Sequence, residues 1–132
     1  MIKIQISKTH QSKIRKGYPW VFKYQIQNQI PDENQENLGV IYDHNNHFLA
    51  VGLWDPCSDL CFRVLNLGKP QAIDRGFFRE RLQSAIKIRQ GLESQGTTGY
   101  RVINGENDGF PGLVLDRYED TLVLKLYTTS WF

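Results

Sequence analysis

Leu38-Gly39-Val40-Ile41-Tyr42 and Phe48-Leu49-Ala50-Val51-Gly52-Leu53-Trp54 flank the tetrapeptide Asp43-His44-Asn45-Asn46. Both flanks are strand-length runs of aliphatic, β-branched and aromatic residues. The residues between them tolerate left-handed φ, so the segment reads as a β-hairpin. Gly52 inside its second strand suggests a bulge or a close backbone approach. Asp55-Pro56 opens a loop, and Leu60–Leu65 is a third strand-like run. Strands at this spacing indicate a compact barrel or sandwich.

Upstream, Ile2, Ile4 and Ile6 alternate with Lys3 and Gln5 as in a half-buried strand. Ser7 is placed to cap a short helix over Lys8 to Lys16, Gly17 fits the position just past its end, and Pro19 prevents its continuation. Trp20-Val21-Phe22 begins an extended segment, and residues 31–37 form a polar loop. Residues 1–67 are therefore expected to form a small β-rich domain with one short helix.

Downstream, residues 68–73 read as a linker containing Gly68 and Pro70, and Asp74 caps a long helix from about Arg75 to Ser94. Phe78, Leu82, Ala85, Ile86 and Leu92 share one face at helical spacing. Arg89 falls in the middle of that face and needs a partner. A buried ion pair with a carboxylate of the following segment is expected, with its stem lying on apolar surface as the alternative. Three extended runs follow, Tyr100–Asn104, Leu113–Tyr118 and Thr121–Tyr127, the last two joined by a tight hairpin at Glu119-Asp120. In the last run Leu122, Leu124 and Leu126 form one face. A lone hairpin is marginal in water, so residues 74–132 are expected to be an incomplete second domain. The fold class is α+β.

The chain has 132 residues, 40% of them hydrophobic and 12% aromatic, with a net charge of +2. This is the composition of a folded domain, not of a disordered or fibrous chain. No window approaches the roughly 18 apolar residues of a membrane span, and Met1 to Ile6 is no signal peptide, so no membrane partner and a cytoplasmic location are expected. Charge is segregated. Residues 1–31 hold six basic residues and no acidic one, whereas residues 32–61 hold six acidic residues and no basic one. Such blocks can build a positive face on a nearly neutral protein, as a binder of the phosphate backbone needs. They can equally serve as solvated loops.

Basic residues interleave with aromatics at Lys13, Arg15, Lys16, Tyr18, Trp20 and Lys23, and Arg63 lies on a later strand. Cations of this kind neutralise phosphates and an exposed aromatic stacks an unpaired base, although core packing competes for Trp20. The run Asn104-Gly105-Glu106-Asn107-Asp108-Gly109-Phe110-Pro111-Gly112 is followed by a β-like stretch. A nucleotide loop should instead open into a helix, so the run reads as a turn with special backbone angles. Glu106 and Asp108 can there orient Arg89 or Arg101, or touch substrate, and Asp116 belongs to the same motif. His44, His47, Cys57 and Cys61 lack the spacing of a zinc site, and no metal is expected. Neither cysteine has the neighbourhood of an activated nucleophile.

Gly17-Tyr18-Pro19-Trp20-Val21-Phe22 after a basic helix resembles the start of a PUA domain. Phe48 to Ser58 resembles that domain's Gly-x-aromatic-x-Pro-x-Ser segment, and Phe62-Arg63-Val64-Leu65 its next strand. The stretch from Tyr100 to Tyr118 resembles a longer signature of the large-subunit ribosomal RNA cytosine methyltransferase I family. The resemblance implies a three-part parent that makes 5-methylcytosine: an RNA-binding PUA domain, a small central α/β domain, and a third domain with S-adenosylmethionine and the nucleophilic cysteine. Nothing here matches the third part, so no catalytic residue and no cofactor are expected in this chain. The implied partner is ribosomal RNA. A protein–protein module using the unpaired edge of the last hairpin is the alternative, and a homodimer is left open.

Overall fold

The computed structural model describes residues 1–31 and 35–132, so residues 32–34 of the expected polar loop lie outside the described residues. The chain divides into two compact units, Met1–Gln71 with Thr128–Phe132, and Ala72–Tyr127.

The first unit is a curled five-stranded sheet. In order across the sheet run β1 (Ile2–Ile4), β3 (Leu38–Tyr42), β4 (Phe48–Trp54), β5 (Leu60–Leu67) and β2 (Trp20–Phe22). The β1–β3 pair is parallel and the others are antiparallel. The chain beyond β2 then returns to the free side of β1. Gln27 N–H donates to Gln5 O at 2.9 Å. The Asn28 side chain copies a ladder rung, accepting from Gln5 N–H and donating to Lys3 O, both at 2.8 Å. Closing the sheet this way satisfies an edge that would otherwise expose unpaired backbone groups.

The core of this unit gathers Ile2, Ile4, Ile6, Ile14, Val21, Ile41, Leu49, Trp54 and Phe62. Gly39 and Gly52 face each other across β3 and β4, and the Phe62 ring lies over both. A Cβ on Gly39 would come within 3.3 Å of that ring, and one on Gly52 within 2.7 Å. Gly52 is also where β4 slips register against β5. A Cβ there would stand 2.2 Å from the Arg63 carbonyl oxygen. Both the bulge and the close approach expected from the sequence occur at this one residue.

Helix α1 (Lys8–Arg15) begins as read, with the Ser7 side chain accepting from His10 N–H. It ends with Tyr18 N–H donating to Lys13 O, Gly17 N–H to Ile14 O, and Gly17 at φ +105°. This pair of bonds is the Schellman arrangement that glycine permits. The β3–β4 turn is closed by the Asp43 carboxylate, which accepts from the N–H groups of Asn45 and His47 at 2.9 Å each, with Asn46 in left-handed φ.

Residues 128–132, expected with the second domain, belong to the first unit. A buried polar group holds them. The Asp55 carboxylate accepts from Thr128 Oγ1 at 2.8 Å, Thr129 N–H at 3.0 Å and Cys57 N–H at 3.0 Å, and Ser130 Oγ donates to Trp54 O at 2.6 Å. No periodicity in the sequence signals this, because it depends on one buried carboxylate far away in the chain.

The second unit has helix α2 (Arg75–Ile88) and an antiparallel sheet of β6 (Gly99–Asn104), β7 (Leu113–Tyr118) and β8 (Thr121–Leu126), in that order. Helix α2 is shorter than expected. Arg89 leaves helical geometry and Gly91 takes φ +92°, so Leu92 is off the helix and Glu93–Gln95 form a separate turn. The buried stripe is also shifted: Phe77 and Ala85 are buried and Ile86 is exposed. At spacings of four the same stripe carries Arg81 and Arg89. Arg81 lies 4.0 Å from the centre of the Phe77 ring and donates to Gly109 O at 2.7 Å. Arg89 forms a bidentate pair with Asp108 at 2.8 and 3.2 Å, its side chain 17% exposed against 7% for Asp108. Two charges at that depth are tolerated because each is hydrogen-bonded, and removal of either would strand the other. The segment Gly105–Asp108 is a single helical turn bracketed by left-handed Gly105, Gly109 and Gly112. No helix among the described residues is long and apolar enough to cross a membrane.

Two outcomes follow from the first unit. Gly52→Ala should destabilise it by about 3 kcal/mol, because backbone rather than a flexible side chain blocks the new methyl. Loss of soluble yield and a lower midpoint in urea would show it. Burial pushes the Asp55 carboxyl up, but the donors of Thr128, Thr129 and Cys57 outweigh it and hold the group below the ordinary carboxylate value. Its contribution is therefore complete above about pH 4 and lost as pH falls through the lower folded value. Asp55→Asn should cost about 2 kcal/mol at neutral pH and flatten the acid limb of stability against pH. Urea titrations from pH 7 to 3 measure both.

Candidate nucleic-acid interface

Helix α1 has no acidic residue and turns His10, Gln11 and Ile14 inward. Lys8, Lys13, Arg15 and Lys16 are left exposed. Basic groups in its last turn also meet the negative end of the helix dipole. The hydrogen bonds of His10 set its tautomer. The Gln25 side-chain oxygen accepts from Phe22 N–H at 2.9 Å, so its amide nitrogen faces and donates to His10 Nδ1 at 3.1 Å. The proton therefore sits on His10 Nε2, which donates to Trp20 O at 2.9 Å. Tyr18 stands edge-on to both His10 and Trp20, at ring separations of 5.8 and 6.1 Å. Trp20 pairs with Arg63 across β2 and β5.

The structure thus links Lys13, Tyr18, Trp20 and Arg63 at the C-terminal end of α1, with Lys16 exposed beside them. Arg15 reaches the β3–β4 turn and meets Asp43 at 3.5 Å, with its side chain 52% exposed. Lys23 does not join the group. It lines a separate hollow with Ile26, Asn28, Ile30 and Trp54. Lys3 and Lys8, not singled out in the sequence, line a third hollow with Tyr42 and His44. The alternation of Ile2, Ile4 and Ile6 put Lys3 outward, but nothing local brought residues 3–8 to the turn at 42–46.

The second set of candidates pairs within its own unit, and Arg89, Arg101 and Asp116 line a hollow there. Arg89 holds Asp108, which also accepts from Asn104 N–H at 2.6 Å. Arg101 holds Asp116 at 2.8 and 3.3 Å, and Glu106 accepts from Gly112 N–H at 3.2 Å. Hydrogen bonding and the charge of Arg101 keep the Asp116 carboxyl below its ordinary value, against its burial. These groups fix the 104–112 turn and the β6–β7 pair.

Cys61 is buried, donates to Val21 O, and has its thiol pushed up to about 11, chiefly by burial. That is the opposite of an activated nucleophile. Among the described residues no three His, Cys, Asp or Glu side chains converge as metal ligands.

Residues 4–67 match the PUA-like domain family. Over 99% of its length the chain is 43% identical to a ribosomal RNA large subunit methyltransferase of Deinococcus radiodurans, and over 98% it is 37% identical to a ribosomal RNA large subunit methyltransferase I of Shewanella denitrificans. It spans about a third of each of them (33%). In fold it resembles a solved chain of Streptococcus mutans assigned as a SAM-dependent methyltransferase (TM-score 0.80, 21% identity, 98% of this chain and 34% of that one). It also resembles one assigned as a methyltransferase and solved with SAH (TM-score 0.81, 20% identity, 98% and 33%). Residues 4–67 are therefore matched as a PUA-like domain, and over nearly its whole length the chain is similar to about a third of the ribosomal RNA large subunit methyltransferases.

Proposed function

We propose that the chain is the RNA-binding part of an S-adenosylmethionine-dependent methyltransferase that makes 5-methylcytosine in large-subunit ribosomal RNA, acting in the cytoplasm and without chemistry of its own. The observation that carries this reading is an acid-free helix whose cationic end abuts Tyr18, Trp20 and Arg63 inside a PUA-like domain. Lys13, Lys16 and Arg63 would neutralise phosphates and release their counterions, while Tyr18 offers an exposed ring to an unpaired base. Arg15 leaves Asp43 at little cost, since an exposed pair contributes less than about 1 kcal/mol. Contacts of this kind position an RNA, whereas base selection and methyl transfer would belong to the rest of the parent protein.

S-adenosylmethionine is assigned to that remainder because the residues here do not fit it. Its cradle calls for a strand that runs directly into a helix through a glycine-rich loop. Helix α2 is instead capped by Asp74 after an irregular segment, and the 104–112 turn runs into strand β7.

RNA binding should weaken steeply with salt. Replacing both Arg15 and Lys16 by alanine should reduce the slope of log affinity against log salt by about 1.4, two single-strand phosphate contacts. Fluorescence anisotropy with a labelled ribosomal RNA fragment from 50 to 300 mM salt reads both, and an unchanged slope assigns the contact surface elsewhere.

A second reading is supported by β8, which among the described residues has a strand partner on one side only and exposes Leu122, Val123 and Leu124 on successive positions. An edge with apolar residues on both faces suits pairing with another chain, a second copy included. On that reading Leu124→Lys abolishes concentration-dependent self-association in sedimentation velocity. A monomer at all concentrations removes the homodimer.

A further inference from the structure

The first unit carries a hollow of about 520 Å³ between β1, the start of α1 and the β3–β4 turn, apart from the Lys13–Tyr18–Trp20 group. Two cations, Lys3 and Lys8, line it, together with the Tyr42 and His44 rings and the side-chain amides of Gln5, Gln11 and Gln27. Its volume falls in the range that holds small ligands. Lys3 Nζ lies 5.0 Å over the Tyr42 ring, so that ring offers a face to a flat or cationic group. The carboxylate that lines the hollow, Asp43, is occupied by two backbone N–H groups and by Arg15.

The decisive detail is the orientation of Gln11, whose side chain is buried. Its amide must donate to the Ile6 carbonyl, at 3.0 Å, and accept from His44 N–H, at 3.2 Å. A carbonyl cannot donate and an N–H cannot accept, so only one of the two amide orientations satisfies both. Gln11 Oε1 therefore faces His44, and it lies 3.2 Å from His44 Nδ1 as well. That nitrogen must carry the proton in the neutral ring. His44 Nε2 is then an acceptor, and it has no hydrogen-bond partner among the described residues. A rigid buried amide thus presets an imidazole to accept a hydrogen bond at the rim of a cationic, aromatic-lined hollow.

We propose that this hollow takes one unpaired nucleotide of a single-stranded RNA and recognises a base bearing an exocyclic amino group through His44 Nε2. Lys8 meets the phosphate. Lys3 moves from the Tyr42 ring to the backbone as the base stacks in its place. Cytosine donates its amino hydrogen to His44 Nε2, and uracil, with a carbonyl at that position, cannot. This inference rests on the RNA-binding reading above and adds base preference to it.

Cytosine and uracil octaribonucleotides separate the possibilities, measured by anisotropy at fixed salt with the whole chain. The wild-type protein should bind the cytosine oligomer about fivefold more tightly, the value of one unshared hydrogen bond. His44→Asn keeps a side-chain N–H for Gln11 Oε1 but lacks the outer nitrogen. It should lower cytosine binding to the uracil level and leave uracil binding unchanged. Lys8→Ala should weaken both oligomers equally. Equal wild-type affinities, or a preference that survives His44→Asn, overturns the inference. So does a long-range ¹H–¹⁵N spectrum placing the His44 proton on Nε2. If the base preference fails while the Arg15 and Lys16 effect stands, only this inference falls. If neither oligomer binds in a salt-dependent way, the RNA-binding reading falls with it.

Discussion

The first unit depends on one aromatic ring crossing two glycines. Phe62 is fully buried, and its ring, joined at Gly39 by Ile4, fills the space left by the absent side chains of Gly39 and Gly52, which face each other on neighbouring strands. Glycine in a strand is ordinarily a weakness, since it packs nothing and loses much entropy on ordering. Here the ring of the next strand covers both, and the loss is offset by burial of a large side chain. The same close approach shifts the register of β4 on β5 at Gly52 and bends the sheet toward its closure at Gln27 and Asn28.

Around this core four polar side chains are engaged with backbone groups. Gln11 joins the end of β1 to the β3–β4 turn, Gln25 joins β2 to His10, Asn28 completes β1, and Asp55 holds residues 128 and 129. Each replaces a stretch of regular ladder by a side-chain bond, which satisfies those backbone groups where short strands and loops meet. It also has a chemical consequence. An amide whose oxygen is held by a backbone N–H, as in Gln25 and Gln11, is not free to flip, so the histidines that touch them are held in defined and opposite tautomers. His10 is turned inward and spent. His44 is turned outward and available.

The second unit solves a harder problem with arginine. A helix stripe that carries Arg81 and Arg89 beside Phe77 and Ala85 would be a liability without partners. The turn of residues 105–109 supplies them, a carbonyl at Gly109 and a carboxylate at Asp108. The glycines of that turn, which look like a nucleotide loop in isolation, adopt left-handed angles so that the chain can bring those two acceptors to the helix. Arg81 gave no signal in the sequence, although its guanidinium donates to a backbone carbonyl, Gly109 O. Arg89 was legible because a charge in the middle of an apolar face demands a carboxylate, and Asp108 was near at hand.

Local chemistry alone determined the helix start at Ser7, the glycine stop at Gly17, the turns at 43–46 and 119–120, and the strands between them, because caps, left-handed angles and alternation are set within a few residues. It also determined that a charge at Arg89 would need an opposite charge. The length of α2 escaped it, since Gly91 could be tolerated inside a helix or could end one, and only packing chose. The placement of residues 128–132, the separation of Lys23 from the other cations and the meeting of residues 3–8 with the turn at 42–46 were decided by tertiary structure. Each depends on hydrogen bonds or strand pairing between positions from 33 to 73 residues apart, and no pattern of neighbouring residues encodes a bond over that distance.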